Sequence, residues 1–208
     1  MSEEGDGERG ASAPDEGSRR VRAFFALPLT PEAVAACGRA REALRRRSER
    51  SQIAVRFLPD DALHLTLCFL GAVERSALPD FVRVLEASAR VEPFSAGFSG
   101  LGAFSSAKRA RVVVAELADA EGRLTALAEA VSRGAEKLGV PLEERAFRPH
   151  VTLARLKRPS DVSDWLDHAS LEPVVASFGE VRLYESHLDP SGASYSVLAR
   201  AEFERRPA

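Results

Sequence analysis

His64-Leu65-Thr66-Leu67 and His150-Val151-Thr152-Leu153 are two copies of one four-residue pattern. The chain has only four histidines (His64, His150, His168, His187) and four threonines (Thr30, Thr66, Thr125, Thr152). Half of each fall in these two copies, in the same register. Chance would produce such a double copy in well under ~1 in 10³ chains of this length. In a strand, residues two apart share a face. Each copy therefore presents an imidazole beside a hydroxyl, with two apolar residues anchoring it from behind. Two such strands facing each other would form a cleft holding two histidines and two hydroxyls.

Working outward, the segments around the motifs read as further strands and helices. Val21-Arg-Ala-Phe-Phe-Ala-Leu27 is a buried strand stopped by Pro28. Thr30-Pro31-Glu32 opens a helix, with a capping hydroxyl and then proline at the first position, running to about Arg50. Strand patterns follow at Ile53–Leu58 and Leu63–Leu70, the latter ended by Gly71. A helix is expected over Leu78–Ala89. A strand pair follows, Phe94–Phe104 and Arg111–Leu117, joined by a polar turn. The helix over Glu121–Leu138 closes at Gly139 and Pro141. Then come a strand at about His150–Leu156, a short helix near Val162–His168, and strands near Val174–Leu188 and Tyr195–Phe203. The order is mixed, not a strict βαβα alternation, so the fold class is α+β.

The 208 residues suit a single domain over 21–208 that buries its own core. Residues 1–20 carry six acids, three bases and no hydrophobic period, and are expected to be a disordered tail. The rest is near neutral, which does not announce a nucleic-acid surface. No apolar run approaches the roughly 18–20 residues of a membrane span, and the N-terminus has no apolar segment of a secretory signal. Two cysteines, Cys37 and Cys68, make no disulfide framework and no zinc pair. A cytoplasmic location is the expectation. Nucleotide cradles of the G-x-G-x-x-G and G-x-x-x-x-G-K-[ST] kinds are absent.

Histidine donates or accepts a proton near neutral pH. Two of them on opposite sides of a phosphorus suit in-line displacement: one takes a proton from the attacking oxygen, the other gives one to the leaving oxygen. Threonine hydroxyls can donate to non-bridging oxygens. A lone His-x-Thr on a half-buried strand is most simply structural, but its repetition favours a functional pair. Neither copy supplies the third ligand that zinc needs, so no metal and no cofactor is expected.

The motifs, together with Arg22-Ala-Phe-Phe-Ala-Leu27, Val55-Arg-Phe-Leu-Pro59, Phe69-Leu-Gly71, Phe147-Arg-Pro-His150 and Leu183-Tyr-Glu-Ser186…Tyr195, resemble the 2H phosphoesterase superfamily. They are most similar to its bacterial RNA 2′,3′-cyclic phosphodiesterase, or 2′-5′ RNA ligase, branch. The resemblance covers about Val21 to Phe203. It implies a bilobal fold, two pseudo-symmetric lobes with antiparallel sheets flanked by helices, and a central groove lined by the motifs. It also implies metal-independent hydrolysis of a 2′,3′-cyclic phosphate to a 2′-phosphate, with reversible 2′-5′ joining in some members. By resemblance His150 is the base and His64 the acid; the near-symmetric motifs alone do not choose.

Beyond His64, His150, Thr66 and Thr152, Arg148 shares parity with His150 and is a candidate for the phosphate. Phe57 or Tyr184 is a candidate for stacking a base, against the plainer reading of a core aromatic. The arginine-rich helix at 39–50 reads first as a solvated face and second as a guide for an RNA backbone. Strict alternation places Cys68 on the His64 and Thr66 face as a small half-buried side chain. The expected partner is RNA with a 2′,3′-cyclic phosphate end, tRNA fragments among them, or a cyclic nucleotide, bound by a monomer. The alternatives are a 2H phosphodiesterase acting on a small cyclic or 2′-5′-linked nucleotide, and a non-catalytic RNA-end-binding module.

Overall fold

The computed structural model describes residues 20–141, 145–189 and 192–204. Most of the expected tail, residues 1–19, lies outside the described residues; Arg20 already belongs to the first strand. In chain order the elements are β1 (Arg20–Pro28), α1 (Pro31–Ser51), β2 (Val55–Phe57), β3 (His64–Glu74), α2 (Leu78–Ser88), β4 (Phe94–Phe104) and β5 (Ala110–Leu117). They continue with α3 (Arg123–Lys137), β6 (His150–Ser160), α4 (Ser163–His168), β7 (Val175–Phe178), β8 (Glu180–Asp189) and β9 (Gly192–Glu202).

The strands hydrogen-bond in the order β7-β4-β5-β6-β3-β1-β8-β9, with β2 on β6. Every pairing is antiparallel. The path divides at its middle, where β3 and β6 share only the pair Leu65↔Val151. On one side lies β3-β1-β8-β9, backed by α2 and α3; on the other β6-β5-β4-β7, backed by α1 and α4. The result is α+β with two lobes of matching design, and the two His-x-Thr strands are the inner strand of each. Leu65, Leu67, Val151 and Leu153 all enter the apolar core, as alternation requires.

Local chemistry fixes the helix starts. Thr30 Oγ1 accepts from Ala33 N at 3.4 Å, and Pro31 follows as the first helical residue of α1. Asp119, several residues before α3, accepts from the backbone N–H of Leu124 (3.0 Å) and Thr125 (2.8 Å) and from the Thr125 hydroxyl (2.6 Å). Those bonds satisfy orphan donors of the first turn. They also hold the Asp119 carboxyl below its ordinary range despite the opposing pull of burial.

Two strands outrun their expected ends. Gly71 does not stop β3; it sits at φ +69° where the ladder to β1 skips a residue, and pairing resumes to Glu74. That positive φ favours glycine. The stretch Val174–Leu188 divides at Gly179 into β7, which pairs with β4, and β8, which pairs with β1. The chain thus crosses from one lobe to the other inside what reads as a single apolar run.

The contact between α2 and α3 depends on Gly134. A Cβ there would lie 2.4 Å from Val84 Cγ1. Valine is stiff at χ1 and cannot swing aside cheaply. Gly134→Ala therefore lowers stability by about 1–2 kcal/mol, overpacking outweighing the helix propensity gained. Adding Val84→Ala recovers part of that loss. Chemical denaturation of the single and double variants reads both effects.

Candidate active site

The groove between the lobes holds about 570 Å³. One wall presents Arg22, Phe24, His64, Thr66, Phe69 and Tyr195; the other presents Arg56, Phe104, His150, Thr152 and Arg155. Both imidazoles and both hydroxyls of the repeated motif therefore meet in one cavity. Because β3 and β6 run antiparallel through Leu65↔Val151, one step of register sets His64 across from Thr152 and Thr66 across from His150. The site has an approximate twofold axis through that pair.

Each histidine is held the same way. His150 Nδ1 lies 2.7 Å from the Arg148 carbonyl, so Nδ1–H donates and Nε2 faces outward as the unprotonated nitrogen of the neutral ring. His64 makes the matching hydrogen bond to the backbone of Ala62, again two residues back. An aromatic edge contact steadies each ring: Phe104 against His150 at 4.8 Å, and Tyr195 against His64 at 5.0 Å. Phe24, stacked on Tyr184 at 5.2 Å, lies 4.9 Å from the His64 ring and closes it in.

The lobes part company in electrostatics. Burial pushes His64 down to about 4, helped by the positive charge of Arg155 and by His150, and opposed by the Ala62 hydrogen bond. His150 is also lowered, first by burial, with the Arg148 carbonyl and the Glu116 carboxylate pulling the other way. Both rings are therefore neutral in the empty groove at pH 7. Among the described residues that line the groove there is no carboxylate, while Arg22, Arg56 and Arg155 bring three guanidiniums. Such a cavity selects an anion.

Arg155 and Phe69 share one structural origin. On β3, Thr66 pairs with Ala26 and Cys68 with Phe25, so Leu67 is an extra residue. On β6, Thr152 pairs with Val114 and Ala154 with Val113, so Leu153 is extra. Each motif thus ends in a bulge at its fourth residue. A bulge reverses the alternation beyond it. The groove-facing residue after the bulge is the fifth beyond each histidine: Phe69 on one wall, Arg155 on the other. Strict alternation would choose Cys68 instead, but its side chain packs against the apolar core and is not among the groove-lining residues. Alternation alone also places Leu67 and Leu153 in the core, so the sequence carries no local sign of the shift.

Two further candidates sit elsewhere. The Arg148 guanidinium, 58% exposed, bonds Glu116 at 2.6 Å and lies 4.6 Å above the Phe104 ring. Pro149 precedes the start of β6, so the parity that pointed Arg148 at the groove does not extend to it. Its contribution to the site runs through its carbonyl on His150. Phe57 faces away from the groove beneath Arg45, at 4.9 Å, and packs on the core, while its neighbours Arg56 and Leu58 line the cavity. Tyr184 is buried behind Phe24. Along α1, Arg39 forms a two-bond ion pair with Glu172, Arg41 pairs with Asp60, and Arg47 pairs with Asp164 at 3.3 Å. These guanidiniums tie the helix to its own lobe. Cys37 is buried, and burial pushes its thiol up to about 12, which leaves it unreactive. No described helix is long and apolar enough to cross a membrane.

The half-buried His64 makes stability depend on pH. Its folded value of about 4 lies below the ~6.5 of an unfolded histidine, so the folded state binds fewer protons in between. Stability is complete above pH ~6.5 and is lost as pH falls through 4, by up to about 3 kcal/mol for this group. His64→Gln abolishes that part of the loss. Urea unfolding of both proteins at pH 7 and pH 4.5 checks it: the wild type loses more than the variant.

The sequence profile of the 2′-5′ RNA ligase superfamily matches residues 27–190. An RNA 2′,3′-cyclic phosphodiesterase of Thermus thermophilus is 37% identical over 188 residues, which span 86% of this chain and 89% of that protein. One of Archaeoglobus fulgidus is 36% identical over 152 residues, 69% of this chain and 81% of that protein. A crystal structure of a Thermus thermophilus protein superposes with a TM-score of 0.75 at 30% identity, over 88% of this chain and 97% of that one. E. coli LigT, crystallised with 3′-AMP, shares the fold with a TM-score of 0.69 at 24% identity, over 89% of this chain and 99% of that one. With two His-x-Thr strands meeting in one groove and a profile match across most of its length, this chain belongs to the 2′-5′ RNA ligase superfamily.

Proposed function

We propose that this protein is an RNA 2′,3′-cyclic phosphodiesterase, opening 2′,3′-cyclic phosphate ends to 2′-phosphomonoesters by paired histidine acid–base catalysis. The observation that carries this is the convergence of His64, Thr66, His150 and Thr152, with Arg155, in one groove that no described carboxylate lines. Curated relatives bearing that name support the reading.

His150 is the base. Its Nδ1 is committed to the Arg148 carbonyl, so the Nε2 lone pair is free to take a proton from water as the water oxygen bonds to phosphorus. The P–O3′ bond breaks on the opposite side, and His64 gives its proton to the departing O3′. The product is a 2′-phosphate and a free 3′-hydroxyl. Thr66 and Thr152 donate to the non-bridging oxygens, and Arg155 balances their charge. His64 begins neutral, because burial and Arg155 hold it low. An anionic phosphate in the groove raises it, so substrate binding itself loads the acid. With the 5′ hydroxyl of a second RNA in place of water, the same displacement gives a 2′-5′ linkage.

Turnover of a cyclic-phosphate-ended oligonucleotide tests the function, with 2′-phosphate as the product and activity retained in excess chelator. His64→Ala and His150→Ala each cost at least ~10²-fold in kcat, and the double variant little more than the worse single. Thr66→Val and Thr152→Val each cost roughly 10–10³-fold, while folding survives, since valine suits a strand. Normal kinetics in both threonine variants would remove the hydroxyls from the mechanism.

The pH profiles give a second check. The bell for kcat/KM reports the free enzyme, where both histidines are lowered, so its maximum lies below about pH 6.5. The bell for kcat reports the complex, where the phosphate has raised them, and its maximum lies at higher pH. Coincident maxima would contradict loading of the acid by substrate.

A further inference from the structure

The two motif histidines bond to carbonyls that are held in different ways. Ala62, which serves His64, is buried and belongs to a short 3₁₀ turn over Asp60–Ala62. That turn closes on itself: Ala62 N–H donates to the Pro59 carbonyl and Leu63 N–H to the Asp60 carbonyl, both at 3.2 Å. Arg148, which serves His150, lies in no described helix or strand. It precedes β6, one residue before the bond that Leu117 N–H makes to the Pro149 carbonyl at 3.0 Å. Its side chain supplies the anchor instead. The guanidinium bonds Glu116 at 2.6 Å and lies 4.6 Å above the Phe104 ring, whose edge meets His150. Glu116 is the residue directly opposite His150 in the β5–β6 ladder; the residue opposite His64 in the β3–β1 ladder is Pro28. The Glu116 carboxylate lies over Gly102 of β4, where a Cβ would come within 2.5 Å of Oε1. The twofold relation of the lobes thus breaks here: an ion pair stands beside one histidine, a proline and an alanine beside the other.

A half-exposed ion pair of this kind adds little to folding stability. What it does fix is the place of the Arg148 main chain. We propose that Glu116 and Arg148 are positioning residues for His150: their ion pair, seated over Gly102 and Phe104, keeps the Arg148 carbonyl on Nδ1–H and so holds the Nε2 lone pair ready for the attacking water. This rests on reading His150 as the base. The bond made by one ring nitrogen decides which nitrogen carries the proton. An imidazole that loses the carbonyl can present N–H to the groove, and N–H takes no proton. The Glu116 carboxylate also opposes the positive charges of Arg148 and Arg155 as His150 takes up its proton. Neither Glu116 nor Arg148 lines the groove, so both act through His150.

Nitrogen NMR of the histidine rings at neutral pH reads the tautomer directly, and steady-state turnover of a cyclic-phosphate-ended oligonucleotide reads its consequence. In the wild type His150 is the Nδ1–H form. Glu116→Ala lets a fraction of the Nε2–H form appear and lowers kcat about 10-fold with KM within about twofold, short of the ~10²-fold or more that a general base contributes. Glu116→Gln, which keeps an acceptor for the guanidinium without the charge, falls between the two. Gly102→Ala displaces the carboxylate without removing it and moves both readouts the same way, so it carries the test should Glu116→Ala fold poorly. The His64 signals stay unchanged throughout. Combining Glu116→Ala with Arg148→Ala costs little more than the worse single change, because the two act as one unit. The inference is overturned if His150 keeps its wild-type tautomer without the ion pair, or if the tautomer shifts while turnover by the active enzyme does not. The NMR readout needs no substrate: a tautomer that follows the ion pair in a protein that opens no cyclic phosphate would sink the proposed reaction and leave the positioning role standing.

Discussion

The single residue pair Leu65↔Val151 is the constraint on which the groove depends. A long ladder between β3 and β6 would fuse the lobes into one flat sheet and leave no cavity. Having no ladder would let the lobes drift and separate the imidazoles. One pair, with both side chains fully buried in the common core, fixes the relative height of the two strands and lets them diverge on either side. Both motif histidines sit one residue from that pair. Their mutual placement is therefore set by apolar packing behind the strands and by two backbone carbonyls, from Ala62 and Arg148, beside the rings.

The approximate twofold relation governs the skeleton of the site but not its chemistry. Inner strand, histidine, hydroxyl, bulge and steadying aromatic ring recur in both lobes. The residue after the bulge differs, phenylalanine on one wall and arginine on the other. His64 is also enclosed by Phe24, Tyr184 and Tyr195, whereas His150 has Glu116 nearby to favour its protonated form. Two rings that look interchangeable in the motif are thereby given different proton affinities. These surroundings alone leave His64 the harder ring to protonate, so its proposed role as the acid relies on the charge of the bound phosphate.

Much of the remaining arginine is structural. On α1, ion pairs to Asp60, Asp164 and Glu172 fasten the helix across the back of its lobe. Arg182 is bonded to Glu180, and Arg75 to Glu185 at 3.1 Å. An excess of guanidinium in the composition is therefore no measure of anion binding. What matters is which guanidiniums reach a cavity that no carboxylate among the described residues lines, and these come from β1, β2 and β6.

By itself the sequence determined the α+β class, the positions of the long helices, the two motif strands and the face each motif residue occupies. These follow from short-range rules: 3.6- and 2-residue periods, a capping threonine, a proline at a helix start. It also pointed to the proposed chemistry, because a repeated His-x-Thr has few other uses. Only the tertiary structure decided that Arg155 and Phe69 face the groove in place of Cys68, that Arg148 turns to Glu116, and that Phe57 lies under Arg45. It alone separated β7 from β8 at Gly179. The physical reason is common to these cases. Alternation is a property of one strand, but a bulge or a change of partner is defined only by the neighbouring strand. That neighbour lies tens of residues away in the chain, where no local pattern can report it.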